Sequence, residues 1–170
     1  MVPSVDFRVG DYIIDSEQIF VISKIDKDRL YYLPANAEDD KYHSVSGSIP
    51  LANALSSGFR TLITLSEIRS FFKQLTQKQP IREPPEPIDP KNYKEFICQN
   101  DPFKTIPLLQ QLWITKNKID ATFSSNNRLT LEAITNHLAE EFSLVTKKPA
   151  ASIKAKILKT LATTFPIIQS

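Results

Sequence analysis

A thiol nucleophile here would need Cys98 beside His43 or His137, the only imidazoles in the chain, because a base must draw off the thiol proton. Cys98 follows Phe96 and Ile97 toward the apolar end of a short expected helix, so the sequence favours packing over reactivity. His137, next to Leu138, reads as a half-exposed helical residue. One thiol cannot build an internal disulfide framework, and one thiol with two imidazoles falls short of a structural zinc site. Glu38, Asp39 and Asp40 bunch three carboxylates that could form a cation site, but without the spacing of a calcium loop the sequence favours a solvated acidic loop. The three glycines, Gly10, Gly47 and Gly58, lie too far apart for a phosphate-cradling or dinucleotide-binding loop. These residues predict no catalytic group, no metal and no cofactor, and therefore no enzyme.

The cations carry more. Lys147, Lys148, Lys154, Lys156 and Lys159 lie in a stretch with no acid after position 142, and Lys91 and Lys94 open the first helix expected in the back half. Seven such cations could meet a phosphate backbone. They could equally supply the polar face that keeps a terminal helix in water, and the sequence leaves both uses open. Among the aromatic residues, Phe20, Tyr31 and Tyr32 are expected as core and rim of a sheet rather than as a ligand cage, since strand alternation buries half of them. Trp113 lies on an apolar helical stripe, which favours a core role over base stacking.

The elements that position these residues change character along the chain. At 170 residues, 41% hydrophobic and 24% charged, the composition is that of a water-soluble globular protein of one ordinary domain or two small ones. No run approaches the roughly 18 apolar residues of a membrane span, and Met1 to Asp6 lacks the basic start and apolar core of a leader, which predicts a cytoplasmic protein. Residues 1–75 hold eight Lys and Arg against ten Asp and Glu, a net −2, while residues 76–170 hold thirteen against nine, a net +4. The two halves are expected to meet different partners.

The front half reads as strands. Gly10 supplies a turn before Tyr12-Ile13-Ile14; Ile19 to Ile25 is the strongest strand pattern; Asp26-Lys27-Asp28 turns into Arg29 to Pro34, where proline ends the ladder. Ser44 to Ile49 offers a further strand, stopped by Pro50. Four or five short antiparallel strands fit a Tudor- or SH3-like barrel over residues 1–64. Ser48 to Leu75 then joins the halves, with a turn at Gly58 and a hinge helix over 65–75, capped by Ser66 and striped by Ile68, Phe71, Phe72 and Leu75. Phe59 and Leu62 are expected to help fix it. Five prolines between Thr76 and Pro90 predict a linker over 76–89. The helical domain, 90–170, starts helices at Asp89-Pro90, spanning 90–99, and at Asp101-Pro102, with Pro107 tolerable only in a first turn. Ser124 caps a helix lined by Leu131, Ile134, Leu138 and Phe142, and Pro149 opens the last, with Ile153, Ile157, Leu158 and Leu161 buried. The fold class is α+β: a small antiparallel barrel, then an all-α bundle.

Over roughly residues 6–145 the chain resembles the CarD-like transcription regulators. Phe7-Arg8-Val9-Gly10-Asp11-Tyr12-Ile13-Ile14 is similar to the family's Phe-x-Val-Gly-Asp-x-Val-Val opening, shared with the polymerase-interacting domain of transcription-repair coupling factors. Ile49-Pro50-Leu51-Ala52-Asn53-Ala54 and Gly58 to Ile63 resemble its Val-Pro-x-x-Asn-Ala and Gly-x-Arg-x-x-Ile, and Tyr93-Lys94, Leu112-Trp113 and Leu131 through Phe142 follow its helical order. The resemblance implies a Tudor-like domain that binds the β subunit of bacterial RNA polymerase, here through Ser44, Val45, Ser46 and Ser48, and helices that contact promoter DNA at the upstream edge of the open bubble. It implies a regulator, monomeric when free and associated with the nucleoid. Lys91 and Lys94 fall on the family's basic positions. Its minor-groove wedge, a tryptophan, is replaced by Asp89, with Ile88 beside it as a lesser apolar insert. Ser48 stands where some members carry arginine, and residues 146–170 run past the family's usual end. Set against this is a protein-only adaptor whose helices do not touch DNA.

Overall fold

The computed structural model describes residues 6–15, 18–35, 46–54, 56–78, 101–118 and 123–166. The chain divides into two compact units, Met1–Leu62 and Ile63–Ser170, the first built on a sheet and the second on helices, so the fold is α+β.

In the first unit, β1 (Tyr12–Asp15), β2 (Gln18–Asp26), β3 (Arg29–Pro34), β4 (Gly47–Pro50) and β5 (Arg60–Thr61) form one antiparallel sheet in the order β4-β3-β2-β1-β5. Cross-strand register sets Ile13 opposite Phe20 and Leu30 opposite Ile49. Ile13, Phe20, Ile22, Leu30 and Phe59 make the core. Gly10 adopts φ +92°, open to glycine without a Cβ penalty, and the turn it permits lets its N–H reach the Ile22 carbonyl at 2.8 Å. Ser23 is an extra residue in β2, where the register against β3 shifts between Ile22 and Lys24. Pro50 ends β4 and a one-turn 3-10 helix, Leu51–Asn53, follows. Closure into a barrel is not seen: β4 pairs only with β3 and β5 only with β1, so the sheet is open at both edges among the described residues.

The second unit contains α1 (Leu65–Leu75), α2 (Ile106–Lys116), α3 (Ser125–Thr146) and α4 (Ala150–Thr164). The expected cap at Ser66 gives way to Thr64. Thr64 Oγ1 accepts from the Glu67 N–H at 3.2 Å while the Glu67 carboxylate accepts the Thr64 N–H at 2.8 Å, a reciprocal pair for which only Thr64 has an acid three residues on. Asp101 caps as expected, but the turn it opens, Pro102–Thr105, is 3-10 and passes into α2 at Ile106, so Pro107 lies in the first turn, where its missing N–H costs nothing. Ser124 caps α3 through a 3.1 Å bond from the Asn127 N–H.

These helices share one core. Phe71 is fully buried and meets the edges of Phe142, Phe72 and Phe103 with ring centroids 5.2, 5.8 and 6.1 Å away. Ile68 and Leu75 belong to the same core, so the apolar stripe of the expected hinge helix lies within the helical unit, and the unit boundary falls before Ile63. Phe59 belongs to the sheet core instead, and Leu62 is half-buried. Two buried polar side chains hold the ends of α1. The Glu141 carboxylate, with no exposed surface, accepts the Ile63 N–H at 2.9 Å, and Gln110 Nε2 donates to the Leu75 and Gln77 carbonyls at 3.0 and 2.9 Å. Among the described residues no helix is long and apolar enough to cross a membrane. Of the linker expected over 76–89 only 76–78 are described, and the helix expected over 90–99 lies outside the described residues.

Candidate protein and nucleic-acid interfaces

The open edge of β4 is the first candidate, and its hydrogen-bonding phase follows from the register. Arg29 lies opposite Pro50, Leu30 opposite Ile49, Tyr31 opposite Ser48 and Tyr32 opposite Gly47. The Leu51 N–H donates to the Asp28 carbonyl at 2.6 Å, continuing this ladder by one pair. Antiparallel pairs alternate between bonded and non-bonded. Ile49 and Gly47 therefore bond to β3, while the peptide groups of Ser48 and Pro50 turn to the open edge. Proline offers no N–H there, and Arg29 Nη2 covers the Ser48 residue, donating to its Oγ at 2.9 Å and its carbonyl at 3.4 Å. Shortness, proline and a charged side chain each limit strand addition. The edge is left with the Ser48 N–H and the exposed Ser46 beside it. Ser44 and Val45, expected on the same surface, lie outside the described residues.

Gly47 has a separate reason to be glycine, since a Cβ there would overlap the Tyr32 ring. Tyr32 packs edge-on against Phe20 and Phe59 at 5.0 and 5.2 Å, so these rings fill the space that a cage would leave for a ligand. Tyr31 is half-buried, with Lys24 Nζ 5.5 Å from its ring centre. The Lys24 ammonium is held above its usual pKa by its hydrogen bond and ion pair with Asp26, at 3.0 Å.

The second candidate is the basic end of the helical unit. Once the chain is divided at the structural boundary, residues 1–62 hold six Lys and Arg against nine Asp and Glu, a net −3, and residues 63–170 hold fifteen against ten, a net +5. Lys147 and Lys148 are exposed in the turn between α3 and α4, and Lys147 takes a left-handed conformation, φ 57° and ψ 31°, that closes α3. The buried stripe of α4 is Ile153, Ile157 and Leu161. The structure does not bring its three lysines onto one face. Half-buried Lys154 has its Nζ 3.8 Å from the Glu132 carboxylate of α3, Lys156, though exposed, has its Nζ 4.2 Å from the centre of the Phe72 ring of α1, and Lys159 is exposed with neither contact among the described residues. Lys91, Lys94, Ile88 and Asp89 lie outside the described residues, as do Cys98, His43 and the acids at 38–40.

Trp113 packs against the helical core, its Nε1–H buried without a hydrogen-bond partner among the described residues and Lys116 Nζ 5.2 Å from its ring centre. His137 is half-buried. Arg29, Glu141 and Gln110 were not singled out by the sequence. A lone Glu or Gln inside an amphipathic helix reads as surface, and only its place on the buried face, as at Leu138 and Phe142 around Glu141, hinted otherwise. The chain matches no protein-family model, and no curated protein matches it in sequence.

Proposed function

We propose that the protein is a CarD-like transcription regulator, with a Tudor-like sheet unit that binds the β subunit of bacterial RNA polymerase and a helical unit that binds promoter DNA. The observation that carries this reading is the division of charge along the structural boundary, −3 on the sheet unit and +5 on the helical unit, with an acid-free basic end. The strand order β4-β3-β2-β1-β5, with a 3-10 turn between the last two strands, supports a Tudor- or SH3-like unit. The Ser46 to Ser48 edge is the polymerase-facing surface, and the DNA-facing cations are drawn from Lys91, Lys94 and the basic stretch from 147 to 159.

A specific observation favours the adaptor reading as second. Lys154 and Lys156 are turned to partners inside the protein, which reduces the charge available to phosphate. Salt separates the two. Fluorescence anisotropy of a forked promoter fragment should show affinity falling steeply with salt if phosphates are bound, and co-purification with the β subunit should weaken in Val45→Lys/Ser46→Pro. Salt-insensitive or absent DNA binding together with retained β-subunit capture would establish the adaptor. Undiminished capture by a folded Val45→Lys/Ser46→Pro variant would remove the β4 edge from the reading.

A further inference from the structure

Resting on the reading that the helical unit binds a nucleic-acid backbone, we infer that the five lysines from 147 to 159 divide into two sets. Lys147, Lys148 and Lys159 meet phosphates, while Lys154 and Lys156 hold α4 to its neighbours and lie outside the contact. At 3.6 residues per turn, each residue advances the helix by about 100°. Measured from Ile157 at the centre of the buried stripe, Lys154 lies about 60° to one side, Lys156 about 100° to the other, and Lys159 about 160° away, nearly opposite the core. The contacts agree with that placement. Lys154 leans to Glu132 on α3 and Lys156 to the Phe72 ring on α1, on opposite flanks, and Lys159 has neither kind of partner among the described residues.

Pairing matters for what a phosphate gains. Lys154 can neutralise a phosphate only by leaving Glu132, whose carboxylate would then stand close to the incoming anion. Lys156 must leave the face of Phe72, to which it is drawn by the negative ring quadrupole. Neither Lys147, Lys148 nor Lys159 has such a contact to break among the described residues.

Lys147 supplies the independent observation. A residue closing a helix in the left-handed region is usually glycine, because a Cβ strains that conformation. The negative end of the α3 dipole welcomes a cation there, but Lys148, one residue on, would answer that need without the strain. Lys27 takes the same conformation in the β2–β3 turn, φ 52°, so what sets Lys147 apart is its place, an exposed cation beside Lys148 at the end of α3 with neither of the contacts that hold Lys154 and Lys156 among the described residues. From Ala150 to Lys159 is about 14 Å along the axis at 1.5 Å per residue, so the set spans about four steps of a DNA strand at 3.4 Å each. That accommodates about three phosphates and not many more.

The test measures anisotropy of a 20-base-pair duplex with the full chain between 50 and 200 mM salt, for wild type, Lys147→Gln/Lys148→Gln/Lys159→Gln and Lys154→Gln/Lys156→Gln. The triple variant should lower the slope of log affinity against log salt by about 2.7, at about 0.9 per phosphate, which over this range is roughly 40-fold less loss of affinity. The double variant should keep the wild-type slope and melt at a lower temperature. If it does not fold, the single variants Lys154→Gln and Lys156→Leu replace it. A slope lowered by about 1.8 in the double variant, or unchanged in the triple, overturns the division while leaving DNA binding in place. Wild type without salt-dependent binding overturns the DNA reading and the division with it.

Discussion

Glu141 has no exposed surface, and its carboxylate accepts the Ile63 N–H. Removing a buried acceptor leaves its donor unsatisfied, and bonds to charged groups contribute about 1.5–3 kcal/mol. Glu141→Ala should lower stability by about that much plus a cavity contribution, and Glu141→Gln, which keeps a carbonyl acceptor, by less; urea unfolding of both variants checks the ranking. Gly47 is the converse case, a position fixed by what lies over it. Gly47→Ala should destabilise the sheet unit by about 1–3 kcal/mol through overlap with Tyr32, and much less in a Tyr32→Leu background, where the ring is gone. Equal costs in the two backgrounds would mean that something other than this ring excludes a side chain.

Among the elements, β4 makes the sharpest prediction. Its alternating phase leaves the Ser48 amide facing the open edge and ties Ile49 and Gly47 to β3, so amide exchange followed by NMR should find Ser48 fast and its two neighbours protected. Protection at Ser48 would show that the edge is covered. Strands and helices were largely legible in the sequence because local patterns specify them: the β-branched run of β2, the acid-proline start at 101–102, the Ser124 cap and Ile153, Ile157 and Leu161 of α4 all stand where expected, while Leu158, expected in that buried stripe, is half-buried. What was missed is of two kinds, a local Thr-x-x-Glu capping box that the sequence does carry and contacts that depend on partners distant in sequence. Thr64 displaced Ser66 because the cap is a reciprocal bond with Glu67, and spacing within α4 spreads its lysines around the helix but does not reveal that Glu132 and Phe72 engage two of them. Closure of a barrel, likewise, depends on the two end strands meeting, and strand patterns specify only that each is a strand.

Among the described residues each unit has its own core, one around Phe20 and Leu30, the other around Phe71 and Phe142. The single tryptophan, Trp113, packs on the second, so its fluorescence reports the helical unit alone. Phe71→Ala should shift the tryptophan-monitored transition by about 3–5 kcal/mol, whereas Phe20→Ala should shift the tyrosine signals of the sheet and leave that transition in place. A common shift in both signals from either variant would show one cooperative fold. The grip on the two ends of α1 also sets a schedule for the growing chain. The Ile63 amide waits for a carboxylate 78 residues downstream, and the Leu75 carbonyl for an amide 35 residues downstream. At about 5–20 residues per second, synthesis reaches Glu141 roughly 4–16 s after Ile63, and until then Ile68, Phe71 and Leu75 have only part of their core to enter. The sheet unit, whose own core is complete by Phe59, can form during that interval, while α1 stays an apolar stripe open to a chaperone on the ribosome.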